Sequence, residues 1–156
     1  MVNAAISDYN GIIPFYISNA DTISTTSRDW IEGPRFTGHY SWSPPINVPC
    51  FTLDSLIVAF GKPDFIKLDV EGSELEAVSG LSEAVCELCF EWAEESYDKI
   101  LKTIDRLKVI GYTQFGYILC DNYLEQPTNW GTWESLEFDK VADPARKEKW
   151  GMIFAR

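Results

Sequence analysis

The chain has 156 residues, of which 46% are hydrophobic and 14% aromatic, and its formal net charge is −11. This composition excludes a disordered chain and predicts a single packed domain over residues 1–156. The acidic balance would repel a phosphate backbone, so we expect no nucleic acid as a partner. No apolar run reaches the length of a membrane span, and the first residues lack a signal-peptide pattern. Both observations predict a cytoplasmic protein without a membrane span.

The first 50 residues predict a strand followed by a long loop. Apolar side chains alternate at Ile13, Phe15 and Ile17, which is typical of a strand over residues 11–18. No sustained period follows, so we expect a long loop at 18–50. Its aromatic side chains either pack on the body of the domain, which we favour slightly, or cover a substrate pocket.

Helices and strands alternate along the rest of the chain. Thr52 is suited to cap a helix that ends at Gly61, and a longer helix after Ser96 carries apolar side chains at three- and four-residue steps. Four strands are predicted, of which those over residues 65–70 and 85–92 are buried and the last two cover residues 113–120 and 150–155. This alternation predicts an α/β fold with a mostly parallel sheet, helices on its faces and a closing antiparallel hairpin.

The most informative run covers residues 66–76, which read as a buried strand that turns directly into a helix. Gly72 permits a sharp turn at this point. Ser73 is placed to cap the helix, and Glu76 would complete an S-x-x-E capping box. In open α/β sheets, ligands bind at such carboxyl ends of strands. The run therefore predicts a functional site next to the turn.

Acidic side chains follow this strand and its neighbour. A period of two puts Lys67, Asp69 and Glu71 on one side of the strand, and Glu91 lies at the matching end of the next strand. These acids either perform chemistry or compensate Lys67 in a structural ion-pair cluster, because a lysine within a buried strand needs an opposite charge. The sequence weights the two interpretations equally.

Several segments in the same order resemble the FkbM family of S-adenosylmethionine-dependent methyltransferases. They are residues 51–57, 61–65, 66–76, 80–81 and 88–91, and the opening residues 4–8 are similar to the end of the family's third strand. The resemblance implies a partial class I methyltransferase fold, which is Rossmann-like and three-layered, with its later strands in the order 4-5-7-6. It also implies O-methylation of a hydroxyl group on a small molecule or glycan.

The resemblance assigns roles to four acids. It places Asp69 at the border of the methyl-donor pocket and Asp8 near the adenine, so Asp8, Asp69 and Glu71 are the expected cofactor-binding residues. A hydroxyl that attacks the methyl group must lose its proton, and a nearby carboxylate can serve as general base. Asp69 and Glu91 are the catalytic candidates.

We expect neither a metal site nor a reactive thiol. Related methyltransferases hold a divalent ion with carboxylates at this strand end, but the candidate pair Asp121-Asn122 follows the wrong strand. Cys86 and Cys89 have C-x-x-C spacing, yet residues three apart on a strand face opposite sides and would not chelate. The cysteines are predicted to be ordinary buried, reduced thiols.

The resemblance covers only the later part of the family's domain. No D-x-G-A-x-x-G turn and no second acid-ended strand precede Ala4, so we expect a truncated domain with weak or lost binding of S-adenosylmethionine. The alternative function is therefore a non-catalytic binding or scaffolding module. Strand 65–70 would also be an open edge, which a homodimer or a partner chain would cover.

Overall fold

The computed structural model describes residues 1–33, 38–120, 127–140 and 150–156. Its strands form two sheets, one of three strands and one of four. The chain divides into two compact units, of which the first comprises Met1–Gly61 and Val70–Ser82 and the second Lys62–Asp69 and Glu83–Arg156. The prediction of a single domain over residues 1–156 stays a prediction.

The first unit contains the smaller sheet and three short helices. Its strands are β1 (Ala5–Ile6), β2 (Gly11–Phe15) and β3 (Ile46–Phe51), and its helices are α1 (Arg28–Glu32), α2 (Leu53–Phe60) and α3 (Glu74–Ser79). Strand β3 is central, with β1 parallel on one side and β2 antiparallel on the other. Thr52 caps α2 as predicted, because its hydroxyl accepts from the Ser55 amide, and the helix ends at Gly61.

The prediction of a structureless loop at 18–50 is wrong at two places, where α1 and β3 lie. Strand β3 was not predicted because it lacks an alternating apolar pattern, since Cys50 is its only buried side chain. Pro49 also hides the strand, since proline lacks the N–H that a strand donates on its paired side. Strand β1 pairs only with Cys50 and Phe51, so at Pro49 the strand has a single neighbour, β2. A proline fits at that point.

The second unit contains the larger sheet, in the order β4-β5-β7-β6. Its strands are β4 (Phe65–Leu68), β5 (Glu87–Ala93), β6 (Phe115–Leu119) and β7 (Trp150–Ala155), and its helix is α4 (Tyr97–Val109). This order is the one that the resemblance implied, and β6 and β7 form the expected antiparallel pair. The sheet is mixed rather than mostly parallel, because β7 runs antiparallel between β5 and β6 and leaves β4–β5 as the parallel pair.

The core of the second unit lies where β5 and β7 meet α4. Trp92 and Ile153 are at most 1% exposed, and Ile100, Ile104 and Leu107 of α4 are buried. The predicted apolar face of this helix is therefore confirmed. No helix in the described ranges has both the length and the apolar content needed to cross a membrane.

Strand β4 is only half-buried, which differs from the buried strand predicted from its apolar composition. Ile66 and Leu68 are buried, whereas Phe65 and Lys67 are exposed. Its alternating burial shows that one face of β4 packs on the core and the other is open, and β4 is also an end strand of its sheet. A homodimer or partner chain that covers this edge stays a prediction.

Alkaline pH should destabilise the protein through Tyr112. Its hydroxyl donates to the Cys86 carbonyl oxygen at 2.8 Å, and burial raises the pKa of Tyr112 to about 12 from 10.0. The contribution of Tyr112 to the free energy of unfolding is fully present below pH 10, where the hydroxyl is protonated in both the folded and the unfolded protein. It is lost between pH 10 and 12, because only the unfolded protein releases the proton in that range. The loss should reach about 2 to 3 kcal/mol.

Urea unfolding of the wild type and of Tyr112→Phe across this pH range tests the effect. At neutral pH the free energy of unfolding of the variant should be about 1 kcal/mol lower, because the hydrogen bond is missing. Between pH 10 and 12 the difference between the two proteins should shrink or reverse, since phenylalanine does not titrate. A constant difference across the range would contradict the assignment.

Candidate functional site

Asp69 immediately follows β4, at the carboxyl end of the strand. Its carboxylate forms an ion pair with Lys67 Nζ at 3.2 Å, and the two side chains are 47% and 39% exposed. The ion pair that the structural interpretation predicted is thus present, but Lys67 is not a buried cation. An ion pair this exposed contributes at most about 1 kcal/mol to stability. The carboxylate of Asp69 is accessible for another role.

Glu91 lies beside Asp69 because of the parallel register of β4 and β5. Leu68 pairs with Phe90, so the next position along each strand brings Asp69 and Glu91 together. A carboxylate oxygen of one lies within 4.8 Å of a carboxylate oxygen of the other. Glu91 is half-buried within β5, whereas Asp69 is exposed. The structure therefore assembles the two residues that the sequence proposed as catalytic.

Glu71 belongs to the first unit and lies on the turn between β4 and α3. Its backbone is left-handed, with φ of 50°, a conformation that costs energy for a residue with a side chain. The Thr25 hydroxyl donates to the Glu71 carbonyl oxygen at 2.6 Å and accepts from the Ser27 amide at 2.8 Å. These contacts hold the strained residue in place.

Ser73 does not form the capping box that the sequence predicted. It occupies the N-cap position of α3, but its hydroxyl makes no hydrogen bond to the helix. Its oxygen instead lies 2.7 Å from the Thr26 hydroxyl oxygen. The Gly72 amide donates to Glu74 Oε1 at 3.2 Å, so a neighbouring acid takes part in the start of the helix. A tertiary contact has thus replaced the local cap.

Together, Thr25, Thr26 and Trp30 form what we call the turn clamp. The two threonines bind the turn at Glu71 and Ser73, and the Trp30 ring packs directly on Gly72. Sequence analysis missed these residues because their partners lie more than 40 positions away along the chain. The hydroxyl-rich composition of this segment was the only available signal.

Removing the clamp's hydroxyl should loosen the turn. Thr25 is 1% exposed, so Thr25→Val keeps the shape but leaves the Glu71 carbonyl without this donor. We expect the free energy of unfolding to fall by about 1 to 3 kcal/mol. The exposed Thr22→Val variant is the matched control and should change stability by less than about 0.5 kcal/mol. Equal losses in urea unfolding would show that the hydroxyl does not hold the turn.

Asp8 follows β1 in the first unit and is exposed. Its carboxylate accepts from the hydroxyl of the buried Ser7 at 3.2 Å. The Ser7 amide donates to the Phe51 carbonyl oxygen at 3.0 Å, which extends the pairing of β1 with β3. This arrangement fixes where Asp8 leaves the strand. Its expected role near an adenine ring stays a prediction.

The cysteines are free thiols, as predicted, but only Cys50 and Cys89 are buried, whereas Cys86 and Cys120 are half-buried. Burial raises the pKa of Cys86, which keeps this thiol protonated and unreactive at neutral pH. The pair Asp121-Asn122 lies outside the described residues. The spacing of Asp69 and Glu91 would also suit a shared divalent cation, so the expected absence of a metal stays a prediction.

The mixed sheets, with Asp69 at the end of β4 and Glu91 beside it within β5, define an α/β protein with a candidate site next to the end of β4. The profile of the methyltransferase FkbM domain matches residues 1–119 of the 156, and the chain belongs to this family. The resemblance drawn from its segments is confirmed. Comparisons with curated proteins and with solved structures gave no match.

Proposed function

We propose that the chain catalyses S-adenosylmethionine-dependent O-methylation of a hydroxyl group on a small molecule or glycan. The observation that carries the proposal is the pair of carboxylates, Asp69 and Glu91, within 4.8 Å of each other at neighbouring parallel strands. This pair occurs in a chain of a methyltransferase family. Asp69 follows the carboxyl end of β4, where α/β proteins bind their ligands, and Glu91 lies beside it within β5.

The chemistry of the acids fits the cofactor. S-adenosylmethionine supplies a methyl group on a cationic sulfonium, together with ribose hydroxyls and an ammonium group. Carboxylates accept hydrogen bonds from hydroxyl and ammonium groups, so Asp8, Asp69 and Glu71 each have the chemistry to bind a polar group of the cofactor. The net charge of −11 also favours a cationic ligand.

The chain's own residues would then handle the acceptor's proton. Asp69 is accessible and stands at the end of β4, so it can accept the proton that a hydroxyl loses as it attacks. Glu91 reaches the same point from β5 and is the second candidate for this step. The rest of the rate enhancement would come from alignment of the two reactants.

Methyl transfer can be assayed with S-adenosylmethionine labelled in its methyl group. The assay uses about 1 mM cofactor, so that even weak binding is detected, and a panel of neutral glycans and polyols. We expect label in a product that survives alkali, because a methyl ether resists base and a methyl ester does not. The exposed acid Asp105→Asn in α4 is a control that should keep full activity. A parallel assay with a chelator shows whether a divalent metal takes part.

Two results would overturn the proposal. Cofactor binding by calorimetry without transfer to any acceptor would indicate the non-catalytic binding or scaffolding module. Label that is lost in alkali would indicate methylation of a carboxyl group rather than a hydroxyl.

A further inference from the structure

A second candidate site lies entirely within the first unit. It is a pocket of about 420 Å³, formed where the chain leaves β2, at α1 and in the segment before β3. This volume falls within the range of small-molecule sites, roughly 300 to 1,000 Å³. Two aromatic side chains, Tyr16 and Trp42, line it together with the polar residues Arg28, Glu32 and Ser43.

The aromatic walls are fixed by backbone hydrogen bonds. Tyr16 and Thr25 exchange two such bonds, at 2.8 and 3.1 Å. Trp42 forms a β-bridge with Ser18, and the next amide, of Ser43, donates to the Ile17 carbonyl oxygen at 2.9 Å. Both aromatic residues are half-buried, which supports their rings while leaving part of each accessible. The backbone that carries both rings is therefore held by hydrogen bonds within the first unit.

The polar groups of the pocket offer both donors and acceptors. Arg28 Nε donates to the Tyr16 hydroxyl oxygen at 2.9 Å, which orients the guanidinium and leaves its other N–H groups pointing away from that bond. Glu32 lies one turn later on α1 and brings a carboxylate of opposite charge. Ser43 is exposed and can donate or accept. The net charge of the lining is zero.

We propose that this pocket binds a neutral sugar residue. A sugar ring presents an apolar C–H face to an aromatic wall and hydroxyl groups to donors and acceptors at its edge. An anion would meet Glu32 and a cation would meet Arg28, so the pair disfavours charged ligands. A purely apolar ligand would make no use of the donors and acceptors that line the pocket. The site is independent of the methyl-transfer proposal, because none of its residues takes part in that chemistry.

Saturation-transfer NMR on the full chain tests the site with D-mannose and L-fucose as neutral probes and D-glucuronate and D-glucosamine as charged ones. We expect saturation transfer to the neutral sugars, with dissociation constants of about 1 mM. Trp42→Ala should weaken binding by about tenfold or more, whereas Trp42→Phe, which keeps an aromatic wall, should retain most of it. Glu32→Gln should retain binding of neutral sugars, since the ligand carries no charge.

A second variant leaves Trp42 unchanged, so that the pocket is tested even if the Trp42 variants do not fold. Ser43→Phe places a ring at the exposed rim and should abolish binding while the melting temperature stays unchanged. Tyr9→Ala removes an exposed aromatic that does not line the pocket and should bind like the wild type. Absence of transfer to both neutral sugars, preference for a charged one, or full binding by a folded Ser43→Phe variant would overturn the proposal.

Discussion

Asp69→Ala should lower methyl transfer by about 100- to 10,000-fold, the usual effect of losing a general base. The same change should lower the free energy of unfolding by no more than about 1 kcal/mol. The reason for the small stability effect is exposure, since both Asp69 and its partner Lys67 are more than a third exposed. The prediction rests on the proposed O-methylation. Turnover and urea unfolding are measured on the same purified variant.

Matched variants separate catalysis from structure. Lys67→Ala removes the other half of the ion pair, so it should match Asp69→Ala in stability while retaining more turnover. Glu91→Gln tests the second candidate base, which lies within 4.8 Å of Asp69. If Asp69→Ala instead loses about 3 to 5 kcal/mol, as when a buried charge loses its partner, the residue is structural. Normal turnover in Asp69→Ala with a large loss in Glu91→Gln would transfer the role to Glu91.

The sequence predicted the second unit better than the first, because its signals are local. The apolar face of α4 and the order of β4, β5, β7 and β6 follow from residue periodicity and the resemblance. The acids of the strand-end site were also identifiable, since a parallel register aligns the ends of neighbouring strands. Pairing between β5 and β7 is non-local, so its antiparallel sense did not follow from composition.

Burial at β4 shows why the sequence overestimated the burial of Lys67. A run of apolar residues predicts a strand covered on both faces, which would make a lysine a buried cation. The structure instead places β4 at the end of its sheet, where alternate side chains are exposed. The ion pair between Lys67 and Asp69 is present, but both side chains are more than a third exposed. The resemblance implied the end position of this strand, whereas its apolar residues alone did not show that one face is open.

At the turn clamp, the sequence contains a local capping motif that the structure does not form. Ser73 and Glu76 have the spacing of a capping box, yet the Ser73 hydroxyl pairs with Thr26. The Ser73 hydroxyl could form either the local bond or the tertiary one, and the two hydrogen bonds contribute similar free energies. The packing around the hydroxyl therefore decides which bond forms. The clamp therefore ties a segment that looked like a loop to the turn that follows Asp69.

Gly72→Ala should be the most destabilising change in that turn, with a loss of about 2 to 4 kcal/mol. Gly72 has φ of +87°, and a Cβ at this position would lie 2.8 Å from Trp30 Cε3. A left-handed backbone costs an alanine about 1 kcal/mol. Overpacking against the tryptophan ring adds about 1 to 3 kcal/mol, because the ring is rigid and cannot bend away.

Gly61→Ala is the matched control for the backbone part of this cost. Gly61 has a similar φ of +93°, but a Cβ added to this residue would meet no heavy atom within 4 Å. It should therefore lose only about 1 kcal/mol in urea unfolding. Trp30→Leu in the Gly72→Ala background should recover part of the difference, since the smaller side chain removes the contact. Equal losses at the two glycines, or no recovery in the double variant, would show that Trp30 does not constrain the turn.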